Sequence, residues 1–288
     1  MNLRQIRKKI RGVLNVKKIT NAMQLVSAIK MKKAQQKAIE SKPYRDLLSF
    51  IIQKVVYSSV EKSYSSFLTK SNPLAKKDLV ILITSNKGLC GSFNFDLFRF
   101  LVREVDFKKT DFITIGTKGA LFVKKMSGVV IADFSSPYRE DKVSAIFRTA
   151  SDLFFKGEYA NVFLVYNRFL NSVSFESTKK RILPVKLEEK EFKVDKEQEI
   201  KRDYLIEPSP EKIIDSALKD MIEIEIYGAL IESEAAEHSA RMMAMKNATE
   251  NATAVVHNLT LLRNKVRQEK ITYDLLDMLI AKQSVEEN

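Results

Sequence analysis

The sequence predicts an α/β fold, in which a long antiparallel coiled coil of the N- and C-terminal helices joins an α/β domain with a mainly parallel sheet. Two observations lead to this fold class. Glycine and proline number only 8 and 6 among 288 residues, and six of the glycines lie between Gly88 and Gly157. Both ends of the chain therefore lack helix breakers, whereas the middle alternates apolar runs with helical patterns, as βαβ units do.

The first segment, residues 1–60, is predicted to be the N-terminal coiled-coil helix. Its apolar residues recur every three or four positions, which places them on one helix face. They are Leu3, Ile6, Ile10, Val13, Val16, Ile19, Met23 and Val26. The steps of three between residues 10 and 19 predict a local overwinding of the coil. Pro43 is expected to kink or interrupt the helix, and the polar residues 61–77 are interpreted as a linker.

The middle segment, residues 78–185, is predicted to be a globular, Rossmann-like α/β domain. Strands are expected at 78–84, 111–116, 129–134, 161–169 and 172–178, with helices at 95–105 and 142–155 and a short helix before residue 129. The first run, DLVILIT, is continuously apolar, as buried parallel strands are. The last two strands are expected to form an antiparallel hairpin with a short turn at Leu170–Asn171. Residues 186–208 are highly charged and are interpreted as a connector.

The last segment, residues 209–288, is predicted to be the C-terminal coiled-coil helix. Ser209 can cap its start, and Pro210 suits the first helical position. Alternate steps of four and three run from Ala217 to Leu259 and define a heptad seam of about six heptads, in which only His238 and Thr249 are polar. An unbroken helix from 211 to about 281 would be roughly 105 Å long. Such a helix must protrude, and the breaker-poor N-terminal segment is its expected partner.

The net charge of +13 is concentrated at the N-terminus. Residues 1–40 hold 11 basic residues and one acidic residue, whereas residues 211–288 hold 9 basic and 14 acidic residues. This basic segment is compatible with a solvated face, nucleic-acid binding, a membrane surface or docking to an acidic protein groove. Residues 1–40 contain no aromatic residue, which disfavours nucleic acid. A membrane role would use the apolar stripe that the partner helix already needs.

Few residues offer catalytic chemistry. Cys90 is the only cysteine, so no intrachain disulfide can form, and it lies in a GLCG loop after a predicted strand. A catalytic cysteine needs a base, but the two histidines, His238 and His257, lie on the predicted long helix. The loop is neither a dinucleotide fingerprint nor a P-loop, and no cysteine–histidine cluster has zinc spacing. We expect a small buried Cys90, a packed His238, and no cofactor or metal.

The sequence does not match the patterns of a membrane span, a secretory signal or a mitochondrial presequence. No run of about 18 apolar residues is present, which argues against a membrane span. The start, MNLRQIRKKI, lacks the apolar region of a secretory signal. It is basic and amphipathic like a mitochondrial presequence, but the helical pattern continues past residue 30 without a processing region.

Five motifs together resemble the gamma subunit of F-type ATP synthases, in its bacterial form. They are VKKITNAMQLVSAIKMKKAQ (16–35), ITSNKGLCGSFN (83–94), EPSP (207–210), ALIESEAAEHSARMMAMKNATENA (229–252) and RQEKIT (267–272). The resemblance covers essentially the whole chain. It departs at the C-terminus, where DMLIAKQSVEEN replaces the family's usual tail, and in lacking the chloroplast form's regulatory cysteine segment.

The resemblance implies a non-catalytic rotor shaft that couples ion flow through the membrane sector to the catalytic beta subunits. The coiled coil would enter the ring of alpha and beta subunits, and the globular part would meet the epsilon subunit and the c-ring. Gly88, Cys90 and Gly91 match the family's loop in the globular domain. Partner contacts are implied at Met23, at three lysines, and at a catch of three residues. The lysines are Lys30, Lys32 and Lys33, and the catch residues are Arg241, Gln268 and Thr272.

The implied location is the cytoplasmic face of the bacterial plasma membrane, with membrane association only through the membrane sector and no nucleic-acid partner. The alternative is a basic coiled-coil scaffold that binds nucleic acid or an acidic membrane surface through residues 1–40. An enzyme that uses Cys90 is the third hypothesis. Co-purification with alpha and beta subunits, or with nucleic acid or lipid at low salt, separates the first two.

Overall fold

The computed structural model describes residues 2–58, 75–135, 140–185 and 210–286. The chain divides into two compact units, one of residues 1–28 with 241–288 and one of residues 29–240. Helices α1 (Leu3–Ser58) and α5 (Pro210–Glu286) contribute to both. The predicted connector, the cap at Ser209 and most of the predicted linker lie outside the described residues. Pro210 is the first residue of α5, as its position before the helical pattern predicted.

The unit of residues 29–240 is built on a five-stranded sheet. Its strands are β1 (Lys77–Ile83), β2 (Thr110–Ile115), β3 (Val129–Asp133), β4 (Tyr159–Phe169) and β5 (Phe175–Leu183), and the intervening helices are α2 (Phe93–Glu104), α3 (Thr117–Lys125) and α4 (Val143–Phe155). The strand order is β3-β2-β1-β4-β5. Only the β4–β5 pair is antiparallel. The predicted mainly parallel sheet with one hairpin is therefore confirmed.

Strand β1 shows how the sheet separates two cores. Successive side chains of a strand point to opposite faces. Leu79 and Ile81 pack in a cluster with α4, α5 and the end of α1, whereas Val80 and Leu82 pack with α2 and α3. Because both faces are covered, residues 79–83 of the strand are an unbroken apolar run. Truncating Ile81 or Leu82 to alanine would cost about 2–5 kcal/mol.

The carboxyl edge of the sheet is fastened at Gly116. This residue has φ of +116°, and a Cβ atom here would overlap the carbonyl oxygen of Thr84, so only glycine fits. The Thr84 hydroxyl donates to the Gly116 carbonyl at 3.1 Å and accepts the N–H of Gly119 at 2.9 Å. The end of β1 is thereby tied to the start of α3.

The connection between β4 and β5 is longer than predicted. β4 ends at Phe169 and β5 begins at Phe175, so the predicted two-residue turn is wrong and the last strand starts three residues later. The side chain of Asn171 explains the difference, because its Oδ1 accepts the N–H groups of Val173 and Ser174, both at 2.9 Å. A loop of this kind uses the side chain to satisfy backbone donors.

Helix α1 buries a different face from the predicted one. Its buried positions recur every seven residues and include Ile6, Thr20, Ser27, Ala34 and Leu48. Together with the half-buried Val13 and Ser41 these positions form a heptad seam, so the buried face does not follow the steps of three between residues 10 and 19. The seam was missed because several of its residues are small or polar. In the unit of residues 1–28 and 241–288, the Thr20 hydroxyl lies 2.7 Å from that of Thr249 on α5, which pairs the two helices.

Pro43 does not interrupt α1. Proline removes one backbone donor and frees the carbonyl four residues earlier, here that of Ile39. Both residues lie on the exposed side of the helix, where water can bind that carbonyl. The cost of the proline is therefore lower than at a buried position.

Helix α5 carries the predicted seam and a second one beside it. Of the predicted positions, Ala217, Ile231, Ala235, Met245 and Ala252 are buried, and Ala34 of α1 packs with Ile231 and Ala235, which confirms the helix pair. The second seam lies one residue further along the helix and spans the positions 218, 222, 225, 229, 232, 236 and 239. Its apolar members Leu218, Ile222, Ala229 and Ala236 are also buried. The sequence reasoning missed this second seam.

Candidate partner-contact surfaces

An apolar strip lies on the exposed side of α1. Val16, Ile19 and Val26, which were predicted to face inward, are 52%, 60% and 53% exposed, because the buried seam passes through Thr20 and Ser27 instead. Met23 is half-buried and shares their helix face, since the spacings are three and four residues. We call these four residues the outer strip. Its exposed apolar side chains suit a partner surface better than water.

A basic group follows the outer strip along α1. Lys30, Lys32 and Lys33 are all exposed, and Ile29 beside them is also exposed. The only acidic residue among the first forty is Glu40. This part of α1 therefore presents positive charge with intervening apolar surface, which is complementary to an acidic protein surface.

The C-terminal part of α5 is exposed on every side. All residues from 267 to 281 are exposed, and we call this range the terminal stretch. Seven of its fifteen residues are large and apolar, namely Ile271, Tyr273, Leu275, Leu276, Met278, Leu279 and Ile280. A large exposed apolar surface of this kind marks a contact with another protein. The terminal stretch therefore has the surface of a helix that packs against a partner protein.

The GLCG loop turns inward. Leu89 and Gly91 adopt positive φ values of 61° and 58°, and Cys90 between them is only 3% exposed. The Cys90 thiol accepts the Asn94 side-chain N–H at 3.4 Å and lies 3.8 Å from the Ser85 hydroxyl. Gly88 and Gly91 remain exposed. The loop therefore buries its cysteine in a tight turn, as the sequence predicted.

The inside of this loop fills the place where an α/β sheet would take a ligand. Such sheets bind ligands where strand connections diverge, here between the carboxyl ends of β1 and β4. Cys90 and Phe93 occupy this position and pack with Ala236 of α5. Asn167 of β4 closes it by donating to the Phe93 carbonyl at 2.7 Å. The sequence did not reveal Ala236 or Asn167 as neighbours of the loop.

Few other side chains in the described ranges could form a site. No three or more His, Cys, Asp or Glu side chains there converge on a common metal position. His238 lies 3.7 Å from Glu234 on the same helix and is nearly buried. No helix in these ranges combines the length and apolarity that a membrane span requires.

Comparison with known proteins gives a consistent result. The family model described as ATP synthase matches residues 2–285. ATP synthase gamma chains from Geobacter metallireducens and Paraburkholderia phymatum are 33% and 34% identical to this chain. The alignment covers 99% of both chains in the first case, and 96% of this chain and 97% of the relative in the second.

The chain belongs to the ATP synthase gamma-chain family. It is therefore a non-catalytic subunit of a membrane-associated ATP synthase complex. The scaffold hypothesis finds no support in these comparisons.

Solved structures agree with the gamma-chain fold. A rotor chain of Euglena gracilis mitochondrial ATP synthase superimposes with a TM-score of 0.64 at 19% identity and covers 93% of this chain and 98% of its own length. A central-stalk chain from the Tetrahymena thermophila enzyme has a TM-score of 0.58 at 25% identity, and covers 80% and 99%. The first likeness concerns the fold alone.

The predicted catch residues of this gamma chain have unequal surroundings. Gln268 and Thr272 are exposed on successive turns, and the Thr272 hydroxyl donates to the Gln268 carbonyl at 3.0 Å. Arg241 is only 8% exposed, and it lies 27 residues before Gln268 on α5, about 40 Å along the axis. The structure therefore brings two of the three together, while Arg241 is held within the chain.

Proposed function

We propose that this gamma chain is the central rotor shaft of a proton-translocating ATP synthase. In this proposal, its helix pair turns inside the ring of alpha and beta subunits, and its globular unit meets the epsilon subunit and the c-ring. The chain acts on the cytoplasmic face of a bacterial plasma membrane and touches the membrane only through the membrane sector. The observation that carries the proposal is the terminal stretch, in which seven large apolar side chains are exposed.

The outer strip and the basic group define the contacts with the beta subunits. Met23 supplies an apolar contact, and Lys30, Lys32 and Lys33 face acidic side chains. Exposed ion pairs contribute only about 0–1 kcal/mol each, so shape has to supply most of the force. An asymmetric shaft favours a different conformation in each neighbour, because it contacts each with a different face.

Gln268 and Thr272 act as a catch on a beta subunit in this proposal. Their exposed amide and hydroxyl groups lie one turn apart and can bond to one partner surface. Arg241 is buried, so its proposed contribution is to hold this part of α5 in shape.

Deletion of residues 260–288 tests the shaft and catch assignments together. The deletion removes the terminal stretch and both exposed catch residues but leaves the unit of residues 29–240 intact. In the reconstituted complex, we expect ATP-driven proton pumping to fall by more than ATP hydrolysis, while the circular dichroism of the chain retains the signal of the sheet. Removing only residues 282–288 is the matched control. Unchanged pumping by the 260–288 deletion would show that the catch assignment is wrong.

A further inference from the structure

The second seam of α5 faces the sheet and the loops at its carboxyl edge. Leu218, Ile222 and Ala229 pack in the cluster that contains the inner side chains of β1 and β4. Ala236 packs against Cys90 and Phe93 of the GLCG loop. The seam therefore joins α5 to the globular unit along its whole length of 22 residues, about 32 Å of helix.

From Glu225 onward, polar residues occupy every second position of this seam. Glu225, Glu232 and Ser239 follow one another at intervals of seven residues, so they lie on one line along the helix. Each contacts a different element of the globular unit. The Lys180 ammonium of β5 lies 2.6 Å from a Glu225 oxygen, and the Tyr166 hydroxyl of β4 donates to Glu232 at 3.4 Å. The Ser239 hydroxyl donates to the backbone carbonyl of Ser172, in the β4–β5 connection, at 2.7 Å.

Glu232 lies at the centre of this line in a partly desolvated position. Burial raises the pKa of its carboxyl, and the nearby Glu225 raises it further. The Tyr166 hydrogen bond, Arg45 and Arg168 oppose these effects by favouring the charged form. Arg45 belongs to α1 and Arg168 to β4, so Glu232 is in the electrostatic range of both the partner helix and the sheet.

The polar contacts differ mechanically from the apolar ones. Hydrophobic contact is non-directional, so a helix that makes only apolar contacts is held in its rotational position by close packing alone. A hydrogen bond weakens steeply when its geometry is distorted. Three bonds on one line, separated by two helical turns each, resist rotation of α5 about its own axis more than any one of them could alone.

We propose that Glu225, Glu232 and Ser239 are positioning residues that transmit torque between α5 and the globular unit. The inference rests on the proposed rotor function and adds to it the joint within the chain through which torque passes. The joint is made of bonds that are individually weak. Its failure should therefore appear under load rather than as loss of folding.

The test compares variant complexes in membrane vesicles. The triple variant Glu225→Ala, Glu232→Ala, Ser239→Ala is assembled into the full ATP synthase, and ATP hydrolysis and ATP-driven proton pumping are measured against a series of opposing pH gradients. We expect hydrolysis within twofold of wild type, and pumping that falls severalfold further below wild type as the opposing gradient increases. Asp220→Asn, an exposed charge loss on the same part of α5, is the control and should follow the wild type.

A charge exchange keeps the proposal testable if the triple variant does not assemble. Glu225→Lys and Lys180→Glu should each lower pumping under load, and the double variant should restore it, because the pair is re-formed with opposite polarity. If neither single variant departs from the wild type at any gradient, or if the double variant is no better than the singles, the proposed joint is wrong. A complex that is assembled without this chain and pumps protons as well as the wild type would instead refute the rotor function.

Discussion

Placing the same charge on two adjacent residues of α1 tests which face of the helix is buried. Val26 belongs to the outer strip, whereas Ser27 belongs to the buried seam and is only 3% exposed. The apolar pattern of the sequence assigns the opposite roles. The variants Val26→Asp and Ser27→Asp therefore distinguish the two registers with one kind of side chain.

The expected losses follow from burial. Full burial of a valine side chain contributes about 1.5–3 kcal/mol, and Val26 is half exposed, so Val26→Asp loses at most about 1.5 kcal/mol. In Ser27→Asp, a carboxylate without a designed partner enters the seam, and an uncompensated buried charge costs about 3–5 kcal/mol. Burial raises the pKa of such a carboxyl above its unfolded value of about 4. The loss of stability in Ser27→Asp is therefore complete above the pKa of this carboxyl in the folded state. It disappears as the pH falls below the pKa in the unfolded state.

Urea denaturation of the purified chain at pH 7 measures the loss of folding stability. The same measurement at lower pH checks that the loss depends on the charge of the new carboxylate. We expect Ser27→Asp to be the less stable variant by about 2 kcal/mol or more. Binding to the isolated ring of alpha and beta subunits measures the partner contact of the outer strip. In this assay, Val26→Asp should bind more weakly than its loss of stability alone explains. If Val26→Asp destabilised the free chain as much as Ser27→Asp, the heptad through Thr20 and Ser27 would be wrong.

Three further predictions concern other positions. Met23→Lys places a charge in the outer strip, so the ratio of proton pumping to ATP hydrolysis should fall severalfold in a complex that still assembles. The control Met23→Leu should retain the wild-type ratio. An unaltered ratio in Met23→Lys would contradict the proposed contact of Met23 with a beta subunit. Ser151 has the one buried side-chain oxygen without a hydrogen-bond partner in the described part of the chain, so Ser151→Ala should raise the free energy of unfolding by about 1 kcal/mol. The control Ser144→Ala, which breaks a 2.8 Å bond to Glu223, should not raise it. A loss of stability in Ser151→Ala would refute the argument. Burial raises the pKa of the Glu232 carboxyl above its ordinary 4.5, so the stability of the fold decreases as the pH rises from 4.5 through the folded pKa. Thermal unfolding from pH 4 to 8 should show that Glu232→Gln removes this part of the dependence of stability on pH. Parallel curves for the wild type and the variant would contradict the prediction.

The sheet and the unbroken α5 were predictable because their signals are local. Residues 79–83 form a continuous apolar run between polar neighbours, and the chain after Pro210 contains one glycine and no proline. Burial of Cys90 was also predictable, since a small residue between two glycines suits a tight turn.

The two seams were harder to predict because apolarity does not mark them. Thr20 and Ser27 occupy the seam of α1, while more apolar neighbours such as Ile19 lie outside it. In the second seam of α5, Glu225 and Glu232 conceal the repeat. A heptad of small and apolar residues at 218, 222, 229 and 236 is present in the sequence, and it is offset by one residue from the stronger seam. A search for two overlapping heptads could have found it.

The distribution of these contacts suggests how one chain can both turn against its neighbours and hold its own parts together. The outer strip and the terminal stretch offer apolar side chains to partners, and such contacts have no preferred direction. A shaft held by them can change its orientation without breaking a set of oriented bonds. The second seam places oriented bonds at Glu225, Glu232 and Ser239, where the helix meets its own globular unit. Exchanging the two kinds of contact would be harmful in both places, because polar bonds to the ring of alpha and beta subunits would raise the barrier to rotation, and an apolar joint would resist twisting by packing alone.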